Sequence, residues 1–138
     1  MPIPITHKDL DAWKVAMDLV EKCYRASSTF PRTEIYGLTS QLRRAAVSIP
    51  SNVAGGHCRR TTKAYANYVS IALGSHGELE THIELAFRLG FLSAADRLGV
   101  QDTCDSVGRL LNGLYRSLED KIQRHDSRRP PSKPSAYD

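Results

Sequence analysis

The chain has 138 residues, with 41% hydrophobic and 25% charged side chains and a formal net charge of +4. Those figures describe one globular domain with enough chain to bury a core. They exclude a collagen, a coiled-coil rod and a small disulfide scaffold. No apolar run approaches the ~20 residues of a membrane-spanning helix. The start, MPIPITHKDLDAW, has neither a basic n-region nor an apolar h-region, so no signal peptide is expected. Cys23, Cys58 and Cys104 are widely spaced and form no CxxC, which predicts reduced thiols in a cytoplasmic protein and no metal cluster.

Four segments carry helical periodicity, and none carries sustained strand alternation. The first runs from about Lys8 to Ser28, with Leu10, Trp13, Met17, Val20 and Tyr24 on one stripe. Thr6 and Asp9 have the spacing of a capping box. Phe30-Pro31 closes the segment, because a residue before proline avoids the α region.

The second segment starts near Thr33 and places Leu38, Leu42, Ala45, Ile49 and Val53 on one face. Pro50 falls inside it and removes a backbone donor. The stripe stays in phase beyond it, so a kinked helix is expected, stopping at Gly55-Gly56.

The third segment opens at Thr61 or Thr62 and runs to about Leu89 through Tyr65, Tyr68, Ala72, Ser75, Leu79, Ile83 and Ala86. Gly74 and Gly77 in its middle suggest a close helix approach, and Gly90 suits the position after its end. A short turn from Ser93 to Gly99 precedes the fourth helix, whose stripe is Val100, Cys104, Val107, Leu111, Leu114 and Leu118. Residues 1–123 therefore read as an all-α, antiparallel up-and-down four-helix bundle. Residues 124–138 read as a flexible, basic, proline-rich tail.

The charge is unevenly distributed. No acid occurs from Ile35 to Gly77, and that stretch holds Arg43, Arg44, Arg59, Arg60 and Lys63. Arg44, Ser48 and Asn52 recur at i, i+4 and i+8 on one helix face, and Arg59, Arg60 and Lys63 flank the next helix start. Arg43, Arg44, Asn52, Arg59, Arg60 and Lys63 are thus candidates for nucleic-acid or anion contact. Tyr36, Tyr65 and Tyr68 are near enough in sequence to offer stacking faces, although core packing is their plainer role. The plainer reading of the charges pairs Arg43 or Arg44 with Glu34, Glu78 or Glu80, between helices or between subunits.

Two further constellations carry less. His76–Glu80 and Glu78–His82 are i, i+4 pairs, joined by Glu84, but they lie on different faces and form no HExxH. Ordinary surface pairing accounts for them. Cys58 beside His57 has no oriented third partner. No Walker A, GxSxG or dinucleotide fingerprint is present, so no enzyme, cofactor or catalytic residue is expected. Ile35, Tyr36, Phe87 and Phe91 lie off the core stripes and are candidates for contact between copies of the chain.

The block Phe30-Pro-Arg-Thr-Glu-Ile-Tyr-Gly-Leu-Thr-Ser-Gln-Leu-Arg-Arg-Ala-Ala-Val-Ser-Ile-Pro-Ser-Asn-Val-Ala resembles the signature of one family. Asp9-Leu-Asp-Ala-Trp13, Tyr68, Ile71-Ala-Leu-Gly-Ser75 and Glu78-Leu-Glu-Thr81 agree with it. The family is the four-helix bundle proteins first known from open reading frames within 23S ribosomal RNA intervening sequences. The resemblance covers roughly residues 8–122. It implies an up-and-down bundle, a ring-like homo-pentamer and association with RNA. It also implies distant kinship with accessory proteins of diversity-generating retroelements, although no residue here points to that branch. Two positions depart from the pattern. Gly55 stands where the family usually has Glu, and His76 stands where it tends to have an apolar or small residue.

Overall fold

A computed structural model describes residues 5–128. Four helices make up the fold: α1 (Asp11–Ser27), α2 (Leu38–His57), α3 (Thr62–Arg88) and α4 (Ala94–Arg128). Short 3-10 turns, His7–Asp9 and Arg32–Glu34, precede α1 and α2, and no strand occurs among the described residues. α1 packs on α2 and α4, α2 on α3, and α3 on α4, closing a bundle around one core. Leu19, Ile49, Leu79, Ile83 and Leu111 are its largest fully buried side chains. A smaller cluster of Ala66, Val69 and Leu118, with Tyr65, Tyr115 and Ile122 against it, joins the start of α3 to the end of α4.

The helix ends follow local chemistry. Asp9 accepts from the Thr6 amide at 2.9 Å, but this box closes the 3-10 turn, and α1 itself begins only at Asp11. The Glu34 carboxylate accepts from the Leu38 amide at 3.0 Å, so the chain around Thr33 forms a turn and α2 starts later than expected. Thr61 caps α3 by accepting from the Ala64 amide at 3.1 Å. Gly90 adopts φ +79°, and the amides of Gly90 and Phe91 bond back to the Phe87 and Ala86 carbonyls. This Schellman closure needs the left-handed backbone that glycine tolerates.

Two expected breaks do not occur. α2 continues through Pro50 as expected, but it also runs on through Gly55-Gly56 to His57. Gly56 remains helical because it is the close-approach point to α3: a Cβ there would stand 2.7 Å from the Tyr68 Cβ. α4 begins directly after Ser93, whose hydroxyl accepts from the Asp96 amide at 3.1 Å, and passes unbroken through Gly99. One glycine costs only about 1 kcal/mol in a long helix, which neighbouring turns absorb. α4 also continues to Arg128, so residues 124–128 are helical. The rest of the proline-rich tail lies outside the described residues.

The buried stripe of α2 is the expected one, Leu38, Leu42, Ala45, Ile49 and Val53. On α3 it agrees from Ala72 onward, but Ala66 and Val69 take the inward places expected of Tyr65 and Tyr68. α1 differs most. Its buried residues are Ala12, Ala16, Leu19, Cys23 and Ser27, whereas Met17 and Tyr24 are 40% and 43% exposed. Small residues face inward because α1 lies close against two neighbours, and the larger side chains are displaced to the flanks. Gly74 and Gly77 face open space, with nothing within 4 Å of an added Cβ, so no close approach within the chain explains them.

Candidate nucleic-acid interface

The six candidate contact residues separate into three environments. Arg43 is tied to α1. Its Nε donates to the Ser27 hydroxyl at 2.8 Å, an Nη donates to the Tyr24 carbonyl at 3.3 Å, and the guanidinium lies 4.5 Å from the Tyr24 ring centroid. These bonds hold the guanidinium against the end of α1 and use two of its five N–H donors. Asn52 is likewise committed, donating to the Ser48 carbonyl at 2.8 Å and to its hydroxyl at 3.0 Å. The Ser48 hydroxyl meets that of Ser75 at 2.7 Å, so this polar line joins α2 to α3.

Arg44, one position from Arg43, is exposed and turns to the other side of α2. With Gln41, Ser48, Glu78, Thr81 and His82 it lines a groove of about 530 Å³ between α2 and α3. Glu78 therefore faces the same groove as Arg44, but no ion pair joins them within the described chain. Glu34 is occupied at the start of α2, and Glu80 lies 3.4 Å from His76 Nδ1 and 3.3 Å from the Gln101 amide nitrogen. His82 Nδ1 is buried in this region without a hydrogen-bond partner.

Arg59, Arg60 and Lys63 are all exposed at the start of α3. Arg59 donates to the Tyr68 hydroxyl and stacks on its ring at 4.8 Å. Gly55 lies beneath that ring, with an added Cβ 3.2 Å from Tyr68 Cε1. A side chain at position 55 would press on the edge of this ring. Arg60 and Lys63, with Thr61 and Thr62, form one side of a groove of about 560 Å³. Its other side is Lys121, Ile122, His125 and Asp126 of α4. An adjoining surface is lined by Lys121, Arg124, His125 and Arg128. Sequence reasoning missed this α4 contribution by treating residues from 124 on as tail. The signal was there as basic residues at i, i+3, i+4 and i+7.

The third-helix ladder disperses into separate contacts. Glu84 accepts from Arg88 at 3.1 Å and pairs with Arg97, which lies 4.3 Å from the Phe87 ring centroid. His76 is nearly buried, its side chain 12% exposed, and its Nε2 is 2.7 Å from the Cys104 carbonyl. Because a carbonyl only accepts, Nε2 carries the proton of this bond. The His76 ring fits against Gly108, where an added Cβ would stand 2.9 Å from it. This accommodates the departure from the family pattern at position 76.

Cys104 Sγ is also 3.4 Å from His76 Nε2, which lines up cysteine, histidine and Glu80. That line is not a nucleophile site. Cys104 has no solvent exposure, and burial pushes its thiol up to about 12, with nearby Glu80, Cys23 and Asp105 adding to the effect. Burial raises Cys23 to about 12 as well. Cys58 is exposed, and the neighbouring His57 packs its ring edge-on to Tyr65 at 5.7 Å. Iodoacetamide at pH 8 is therefore expected to add one label, at Cys58, to the native protein and three in denaturant, read by intact mass. Fast labelling of Cys104 in the native protein would contradict its burial. The raised thiols also make folding stability fully present below about pH 9, declining from there towards 12 as the unfolded thiols ionise first.

Of the four residues expected between copies of the chain, two are engaged within it. Phe91 packs on Phe30 at 5.9 Å, and Phe87 lies under Arg97. Ile35 and Tyr36 are 57% and 95% exposed. No helix among the described residues is long and apolar enough to cross a membrane.

A crystal structure of a protein of unknown function from the S23 ribosomal protein family of Bacteroides thetaiotaomicron VPI-5482 is similar, with a TM-score of 0.68 at 16% identity. The match covers 75% of this chain and 97% of that one, and at this identity it speaks for the fold alone. No curated protein matches the chain. The model of the 23S rRNA-intervening sequence proteins matches residues 8–113, from the turn before α1 into the second half of α4, and the chain belongs to that family.

Proposed function

We propose that this protein is a non-enzymatic, cytoplasmic homo-oligomer that binds RNA or another polyanion at one basic end of its bundle. The observation that carries the reading is the groove between the start of α3 and the end of α4, where Arg60 and Lys63 face Lys121 and His125. Concentrated positive charge in a cleft attracts polyanions. In this reading the bundle is antiparallel and up-and-down, supported by the short connections and by the cluster shared between the start of α3 and the end of α4. α2 kinks at Pro50, where one backbone donor is missing. The family resemblance makes the oligomer a pentameric ring, and distant kinship with retroelement accessory proteins belongs to the same reading.

The test is titration of a labelled structured RNA at low and high salt. Alanine at Arg59, Arg60 and Lys63 together is expected to weaken binding by about tenfold or more, with circular dichroism unchanged. Unchanged affinity in that variant removes the assignment.

A second reading, an assembly module without a nucleic-acid role, is favoured by the open face of α3. Gly74 and Gly77 lie there in the helix interior, flanked by the exposed Ile71 and Leu85. If the face is free, Gly74→Ala and Gly77→Ala each stabilise the protein by about 0.5–1 kcal/mol. If a second copy packs on it, the double variant lowers the mass measured by light scattering. The same reading expects charge reversal at Arg44 or Glu80 to dissociate the ring.

A further inference from the structure

We infer that the last turns of α4 are the second wall of a phosphate cradle that grips the backbone of a nucleic acid without reading its bases. The inference rests on the polyanion reading above and specifies its site. Lys121, Arg124, His125 and Arg128 recur at i, i+3, i+4 and i+7. At 1.5 Å rise per residue they form one stripe about 10 Å long. Across the groove stand Arg60 and Lys63. Asp126 is the one acid lining it. None of these basic side chains forms an ion pair among the described residues. Arg60, Lys63 and Lys121 line the groove and Arg124 and Arg128 the adjoining surface, so five permanent cations stand close together with no ion pair among the described residues.

The lining chemistry selects the partner. Besides the cations and His125, the groove offers the threonines Thr61 and Thr62 and the apolar Ile122. Guanidinium and ammonium groups suit phosphate oxygens. The groove lining holds no side-chain amide and no Phe, Tyr or Trp face, His125 is its one aromatic ring, and its permanent cations pair most simply with phosphate oxygens. The nearby tyrosines, Tyr65 and Tyr115, pack into the Ala66–Val69–Leu118 cluster. A membrane surface is the other source of clustered phosphate. An interfacial helix carries large apolar residues beside its basic stripe. The exposed large apolar residues of the described chain include none in α4 beyond Leu98. The groove therefore fits a sugar-phosphate chain, held through several phosphates at once.

The test uses the full-length protein and fluorescence anisotropy with 20-nucleotide RNAs of unrelated sequence, titrated across a salt series. Three stripe cations are removed in K121A/R124A/R128A. Three cations away from the groove are removed in K14A/R109A/R116A. The stripe variant is expected to lose about tenfold or more in affinity, and its salt slope is expected to fall by about 2, since each single-strand phosphate contact contributes roughly 0.7. The control variant is expected to match wild type, as are different RNA sequences among themselves. If the stripe variant binds like wild type while alanine at Arg59, Arg60 and Lys63 abolishes binding, the α4 wall is wrong and the basic-end reading survives. If wild type binds no RNA at low salt, that reading fails and takes the inference with it. A strong preference for one RNA sequence overturns backbone-only recognition. Tighter binding to phosphatidylserine vesicles than to RNA overturns the choice of partner.

Discussion

Replacing Gly56 with valine is expected to destabilise the protein by about 3 kcal/mol or more, a large part of the ~5–15 kcal/mol that holds a domain together. Gly56 is buried where α2 crosses α3. A Cβ there would stand 2.7 Å from the Tyr68 Cβ, 3.0 Å from the Tyr65 ring and 3.3 Å from the Tyr65 carbonyl oxygen. Two of those neighbours are held by the α3 backbone, so the helices must separate rather than one side chain rotate. Separation opens voids along a tightly packed seam. The adjacent Gly55→Ala is the contrast. Its Cβ meets only the Tyr68 ring, at 3.2 Å, and a ring edge can yield by a few tenths of an ångström. Urea melts of the two variants check the pair, and equal stability for both would show that α2 and α3 are not in register at this point.

Gly108→Val is expected to cost about 2–3 kcal/mol, and His76→Ala in the same chain is expected to recover part of that loss. The Cβ at position 108 would lie 2.9 Å from both Cε1 and Nε2 of His76. The ring cannot move freely, because Nε2 bonds the Cys104 carbonyl at 2.7 Å and Nδ1 lies 3.4 Å from Glu80. Valine therefore removes a partly buried hydrogen bond as well as adding volume. Removing the imidazole creates the space that valine needs. A double-mutant cycle read by thermal melting measures the coupling. Strictly additive losses would mean that the histidine and glycine do not share this space.

The family departures acquire physical meaning from these contacts. His76 is matched by Gly108 on α4, and Gly55 by the Tyr68–Arg59 stack. Neither pairing is visible along the chain, because His76 meets Gly108, and Gly55 meets Tyr68, only when α3 packs on its neighbours.

Helix existence and most of the core were legible in the residues. Apolar spacing of three and four identified all four helices, and on α2 and α4 it named the buried side chains, because there one apolar stripe stands alone against a polar remainder. On α1 the same rule named the flank of the buried face: Leu10, Trp13 and Val20 pack against the core's edge, whereas Met17 and Tyr24 are exposed. Two adjacent stripes compete there, one bulky and one small, and hydrophobicity favours the bulky one. The bundle takes Ala12 and Ala16 inward because interaxial distance, a property of the assembled helices, limits side-chain size.

The candidate interface divides in the same way. The acid-free stretch and its cations were determined by the sequence, which also established the family signature. Tertiary structure decided which cations remain available. Arg43 and Arg44 are neighbours of one residue type, yet about 100° of helical rotation sends one to the end of α1 and the other to solvent. Tertiary structure also brought Lys121 and His125 opposite Arg60 and Lys63. Charge along a chain is local information, whereas the field at a groove sums contributions from helices that meet only in the folded bundle.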